Sequence, residues 1–152
     1  MKHPYVKAAK YWSMILGALC ASIIVSGCGD RAEKKDILAA ETSNLKPLSV
    51  LYGQYQSRNQ NQPPATEDAF KKFIETNGKS TLDQFKIDIN QLFISQRDGQ
   101  PYVVLYRGKV PPSGVIAYEQ NGVGGERIVA YPFGALEMAN EARFQELVPA
   151  GP

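Results

Sequence analysis

The sequence predicts an α+β domain: an N-terminal helix or helices packed on a small antiparallel meander of three to four strands, with a short C-terminal helix. Three observations point there. Apolar and aromatic residues recur at helical spacing from Leu45 to Tyr55, β-branched and aromatic runs separated by glycine turns follow from Tyr102, and an amphipathic heptapeptide closes the chain at Glu141–Leu147. Two helices, an antiparallel meander and a final helix make an α+β domain.

The first helix is placed from Leu45 to about Arg58. Leu45, Leu48, Tyr52 and Tyr55 fall at steps of three, four and three, so they line one face, and Leu51 widens it. Pro47 lacks an N–H, which does no harm in a first turn, so the helix is started near Asn44, a residue suited to N-capping. A longer helix kinked at Pro47 is the other option. Asn59-Gln60-Asn61-Gln62-Pro63-Pro64 ends the element.

A second helix begins after Thr66, with Glu67 and Asp68 suited to its positive start, Phe70, Phe73 and Ile74 on one face, and Asn77-Gly78 as its stop. Residues 82–92 read two ways, because Leu82 and Phe85 suit a helical turn while Ile87-Asp88-Ile89 alternates. From Phe93 the texture is that of strands. Asp98-Gly99 is a tight-turn pair before Tyr102–Tyr106, and Val115–Glu119 is a second strand. Asn121–Gly125 is its turn, Arg127–Tyr131 the return strand, and Ala135–Met138 a last short one. Asn140 caps the closing helix, with Ala142, Phe144 and Leu147 expected inward.

Upstream of the domain, Lys2, Lys7 and Lys10 precede the apolar run Met14–Val25, and small residues lead to Cys28. A positive flank, a short apolar core and a small-residue exit are the layout of a secretory signal. Val25-Ser26-Gly27-Cys28 also resembles the lipobox of bacterial lipoproteins: an aliphatic residue, a small one, Gly or Ala, then Cys. The resemblance implies cleavage before Cys28, a diacylglyceryl group on its thiol and a third acyl chain on its new amino terminus. Two lipid signals already give stable anchoring. An uncleaved anchor is the competing reading, since Tyr11–Gly27 is uncharged, but the run is shorter than the approximately 20 apolar residues a spanning helix needs and holds two glycines and three serines. The expected organisation is a signal peptide over residues 1–27, a tether over 28–43, a domain over 44–148 and a tail over 149–152. Gly29 follows the cysteine where an inner-membrane retention signal would place Asp, so outer-membrane delivery is expected, with Asp30 one position later.

Removing residues 1–27 removes His3, Trp12 and Cys20, the only histidine, the only tryptophan and one of two cysteines. It also removes three lysines, leaving 14 basic against 15 acidic residues and a net charge of about −1. The formal +2 belongs to the precursor, and the mature domain lacks the basic footprint that binds nucleic acid. Without histidine, imidazole bases and histidine ligands are excluded for this chain alone. With Cys28 acylated, no thiol is left for a disulfide, zinc site or nucleophile.

Several patterns carry candidate chemistry. Ser43-Asn44-Leu45-Lys46 fits S-x-x-K, but that chemistry needs a dry pocket around a neutral lysine, and no S-D-N or K-T-G companion occurs. The glycines of residues 121–125 would cradle phosphate only before a helix, whereas strand-like residues follow. Asp83, Asp88 and Asn90 lack the spacing of a calcium loop. Glu119 and Glu137 would serve an enzyme only if a cleft held two carboxylates together. Tyr102, Tyr106, Arg107 and Tyr118 make a candidate contact surface, because Tyr and Arg favour interfaces; the alternative is that the tyrosines pave one sheet face with their hydroxyls at its edge. No residue is assigned as catalytic, and no cofactor or metal is expected.

Asn44-Leu45-Lys46-Pro47-Leu48-Ser49-Val50-Leu51-Tyr52-Gly53-Gln54-Tyr55, with Pro63-Pro64 and residues 70–74 beyond, resembles the pilin-like domains related to type II secretion pseudopilins. In that family a helix of the form N-L-K-x-L-x-x-x-Y-x-x-Y is followed by a Pro-containing loop. Arg97-Asp98-Gly99-Gln100-Pro101-Tyr102 resembles the R-D-G-x-P-Y element before their sheet, and Arg127-Ile128-Val129 with Gly134-Ala135-Leu136-Glu137 resembles their closing strands. True pseudopilins polymerise through a long apolar N-terminal helix behind a prepilin leader, whereas this chain has a lipobox and a polar mature N-terminus. The resemblance implies a non-enzymatic accessory or structural subunit of the cell envelope, held to the membrane by lipid, with envelope or secretion-system proteins as partners. A small-ligand or polysaccharide-binding lipoprotein using the tyrosine-bearing sheet is the alternative.

Overall fold

A computed structural model of the protein describes residues 39, 40 and 42–149. The fold is α+β. Helices α1 (Leu45–Arg58), α2 (Glu67–Asn77), α3 (Lys79–Phe85) and α4 (Ile89–Leu92) precede strands β1 (Tyr102–Val104), β2 (Ala117–Glu119), β3 (Glu126–Ala130) and β4 (Leu136–Asn140), and α5 (Glu141–Leu147) closes the domain. The strands form one antiparallel sheet in the order β1-β2-β3-β4. Tyr102 pairs with Glu119, Tyr118 with Val129, and Val129 with Glu137.

Of the stripe its spacing predicts, helix α1 buries Leu45, Leu48, Leu51 and Tyr52 completely and leaves Tyr55 half-buried against the same cluster. Pro47 sits in the first turn, without a kinked extension through it. The expected cap is different. Asn44 has helical backbone angles and makes no side-chain cap. Ser43 Oγ instead accepts from the Leu45 N–H at 3.2 Å, while the Asn44 amide donates to Gln91 O at 3.0 Å and Ile94 O at 3.2 Å. A long-range link has replaced the local one. Packing also begins before Asn44, since Ala40 and Ser43 are buried although both fall in the span read as tether.

Helix α2 is capped as predicted, with Thr66 Oγ1 accepting from the Ala69 N–H. Its Phe70 ring meets Tyr52, Tyr55 and Phe93 edge-on, with centroids 5.4–6.2 Å apart. Gly78 ends α2 by a route the sequence hides. Its φ is −91°, not left-handed, and α3 starts at the next residue. A Cβ there would lie 2.7 Å from Ile74 O and 2.8 Å from Leu51 Cδ2, so close packing demands the glycine. Residues 82–92 resolve as the end of α3 and the short α4, with Ile87 half-buried between them.

One face of the sheet, carrying Tyr102, Ala117, Ile128 and Ala130, packs on α1 and the helices around it. The opposite face, with Tyr118, Val129 and Ala139, packs on Phe144, Leu147 and Val148 of the C-terminal segment. Asn140 caps α5 by accepting from the Arg143 N–H at 2.9 Å, but Ala142 is exposed instead of inward. Between β3 and β4, Pro132–Gly134 form a 3-10 turn against α1. Phe133 adopts φ +67° there, and its ring lies so close to Gly53 that a Cβ on that glycine would be 2.6 Å from Phe133 Cδ1.

Candidate functional site

The most developed polar constellation gathers around Glu119, a fully buried carboxylate at the end of β2. Ser95 Oγ donates to its Oε1 at 3.1 Å, and Arg97 Nη1 and the Ile128 N–H donate to Oε2 at 2.8 and 2.9 Å. Burial pushes the Glu119 pKa up, and the Ile128 N–H, Arg97 and Ser95 only partly oppose that rise. Arg97 also reaches Val123 O at 3.4 Å, across the β2–β3 turn.

Asp98 continues the link. It accepts from the N–H groups of Gln100 at 3.1 Å, Asn121 at 3.3 Å and Gly122 at 3.1 Å. Burial alone would raise its pKa, but these backbone donors and Ser95 hold it below the ordinary carboxylate value. Gly99 has φ +70°, the left-handed conformation the Asp-Gly turn requires, and Ser95 N–H bonds Gln100 O across it. Arg97-Asp98-Gly99 thus ties the loop before β1 to the next hairpin. Its residues were legible as a motif, whereas the buried partner of Arg97 was not, because nothing local marks Glu119 as inward.

The candidate tyrosine surface is not assembled. Tyr102 and Tyr118 are buried and face opposite sides of the sheet, since Tyr102 pairs with Glu119 and Tyr118 is the next residue back. The Tyr102 hydroxyl lies 2.9 Å from Ser43 Oγ, and burial raises its pKa. Tyr118 packs edge-on against Phe144 at 4.9 Å, with the Arg127 guanidinium 4.3 Å from the Phe144 centroid on a cation–π contact. Tyr106 is half-buried beside the α1 cluster, and burial followed by Glu67 and Asp68 raises its pKa. Arg107 is exposed, and its N–H bonds Pro64 O at 2.9 Å. The four residues share no face.

The same register separates the two carboxylates weighed for catalysis. Glu137 shares the face of Tyr118 and Val129, opposite Glu119. It accepts from Arg143 Nε and the Tyr131 hydroxyl, each at 2.8 Å; the arginine bond first, against a smaller burial effect, lowers its pKa. No cleft can hold these two together. Ser43 of the S-x-x-K tetrad is buried and engaged by Tyr102 and Leu45. Residues 121–125 form the β2–β3 turn, closed by reciprocal Val123–Glu126 backbone bonds. Asp88 caps α4 by accepting from Asn90, and among the described residues no group of three or more His, Cys, Asp or Glu is placed to hold a metal ion.

Cys28 and the leader lie outside the described residues. Within them, no helix is long and apolar enough to cross a membrane. No family model matches the chain, and neither a curated protein nor a solved structure is found similar to it.

Proposed function

We propose that this chain is a lipid-anchored cell-envelope protein, acylated at Cys28, whose pilin-like domain acts without catalysis as an accessory or interaction subunit. The observation that carries the proposal is Val25-Ser26-Gly27-Cys28 at the end of a leader with a lysine-bearing start and a short apolar core. The arrangement of the domain is compatible with it. The acidic groups weighed for catalysis are bonded into separate structural networks, on opposite sheet faces. Envelope or secretion-system proteins are the proposed partners, and the outer membrane the proposed destination.

Two measurements test this. Metabolic labelling with a fatty-acid tracer should mark the wild-type protein and miss Cys28→Ser; equal labelling of both removes the lipid assignment. In-cell cross-linking of the lipidated protein, followed by mass spectrometry, should capture secretion or pilus-assembly proteins repeatedly. Recovery of abundant neighbours alone counts against the subunit role.

A further inference from the structure

The point where the chain joins the domain is built into one end of the fold. Ser43 and Asn44 are buried there, and both are bonded across the structure. The Ser43 hydroxyl meets Tyr102 Oη at 2.9 Å at the start of β1, and the Asn44 amide spans Gln91 O and Ile94 O. The junction is therefore fixed to the 91–101 loop, which Arg97 and Asp98 bind to the β2–β3 turn through Val123 O, Asn121 N and Gly122 N. These segments make a single end. Strand direction confirms it: β1 and β3 start there and β2 and β4 finish there, whereas Pro132–Gly134 lie at the opposite end.

This end has a distinct surface chemistry. Ile94 and Val123, two of the three large exposed hydrophobic residues among those described, sit on it at 37% and 46% exposure; the third, Phe133, is at the other end. Residues 89–101 and 119–126 contain four charged groups, Arg97, Asp98, Glu119 and Glu126. The first three are bonded within the end itself, and Glu126 is half-buried at the start of β3. The exposed polar groups left around the two aliphatic tips include Gln96, Gln100, Gln120 and Asn121, which are amides. Such aliphatic tips can enter the headgroup boundary of a bilayer while the amides around them hydrogen-bond the headgroups.

Resting on acylation of Cys28 as proposed above, we infer that this end of the domain, with Ile94 and Val123 at its tips, lies against the lipid surface that holds the anchor. The tether supports this occupant over others. It leaves the fold at this same end, and Cys28 to Ala39 is eleven residue steps, a reach of at most about 40 Å. The bilayer is the surface that stays within that reach. The turn carrying Phe133 then points away from the membrane, toward whatever approaches from the compartment.

The mature sequence has no cysteine besides Cys28, so a new one can be labelled selectively. Full-length lipidated Ile94→Cys, Val123→Cys and Phe133→Cys proteins, each carrying an environment-sensitive fluorophore, would be placed in phosphatidylethanolamine–phosphatidylglycerol vesicles containing headgroup spin-labelled lipid. Quenching should be several-fold stronger at positions 94 and 123 than at 133. Equal quenching at all three, with acylation confirmed by mass and flotation with the vesicles, overturns the orientation and leaves the anchor standing. Absence of the acyl mass and of flotation overturns the anchor and the orientation together. Shielding of the 94 and 123 labels that follows protein density instead of quencher content would place a second copy of the chain on this end, and overturns the lipid occupant.

Discussion

Replacing Glu119 with alanine should cost the domain about 3–5 kcal/mol, the range for breaking a buried ion pair by removing one partner. The local geometry accounts for that figure. The substitution strands the buried Ile128 N–H, worth about 1–3 kcal/mol, and removes the acceptor for Ser95 Oγ. Arg97 also loses its carboxylate, but its side chain is 18% exposed and recovers some solvation, so the effect stays within the range and not above it. Against a total stability of about 5–15 kcal/mol, the variant would approach the unfolding threshold at ordinary temperature. Glu119→Gln keeps an acceptor for Ile128 and should lose about 1–3 kcal/mol. Arg97→Met combined with Glu119→Leu removes both charges and fills the volume, and should be more stable than Glu119→Ala alone. Urea unfolding of the chain from Cys28 onward, with midpoint and slope fitted separately, measures all three. A loss below about 1 kcal/mol for Glu119→Ala would refute the idea that this carboxylate holds the 95–100 loop to the hairpin.

Acid titration should separate Glu119 from the other two carboxylates by sign. Its folded pKa is raised, so its contribution to stability is full below the ordinary carboxylate value and is lost as pH rises through the raised one; the penalty of Glu119→Gln should therefore be larger at pH 4 than at pH 7. Asp98 and Glu137 have lowered pKa values, so their contributions are present above the ordinary range and are lost as pH falls through the lowered values. Asp98→Asn and Glu137→Gln should thus cost less stability at pH 3 than at pH 7, and equal costs at the two pH values would contradict both assignments. Gly53→Ala should lower the melting temperature although alanine is favoured over glycine by about 1 kcal/mol in a helix interior, because its Cβ would lie 2.8 Å from the Phe133 backbone nitrogen as well as against the ring. A rise in melting temperature would show that the Pro132–Gly134 turn yields.

The parts of the fold legible in the sequence are those where local chemistry and tertiary packing agree. The stripe Leu45, Leu48, Leu51 and Tyr52 marks a helix face by spacing alone, and that face is buried. Thr66 and Asn140 cap as their types predict, because no distant group competes for their oxygens. Asn44 shows the limit. It is as good a capping residue by composition, yet its amide is drawn to Gln91 and Ile94, 47 and 50 residues away, and Ser43 takes over the cap. The tyrosines show the same limit in the sheet. Tyr102 and Tyr118 belong to different strands, so their relative face depends on register, and Tyr102 pairing with Glu119 puts them on opposite sides.

Register also explains why the polar network sits where it does. Tyr102 and Glu119 are directly opposed on the helix-covered face, so their polar tips emerge side by side in an otherwise apolar core. Two unpartnered tips there would be costly. The chain meets them from both sides, Ser43 reaching the phenol and Ser95 with Arg97 reaching the carboxylate. One cross-strand pair thereby fixes both the start of α1 and the loop before β1. A pull arriving through residues 39–43 is delivered to the sheet through Tyr102 and to the 91–94 segment through Asn44, so the first turn of α1 cannot peel away without disrupting buried bonds. Hydrogen exchange at Leu45 and Leu48 should accordingly need an opening nearly as large as the core's own, where an unclamped helix end would fray. Under the lipid anchoring proposed above, the buried pair would set how firmly the domain keeps its bearing on the membrane.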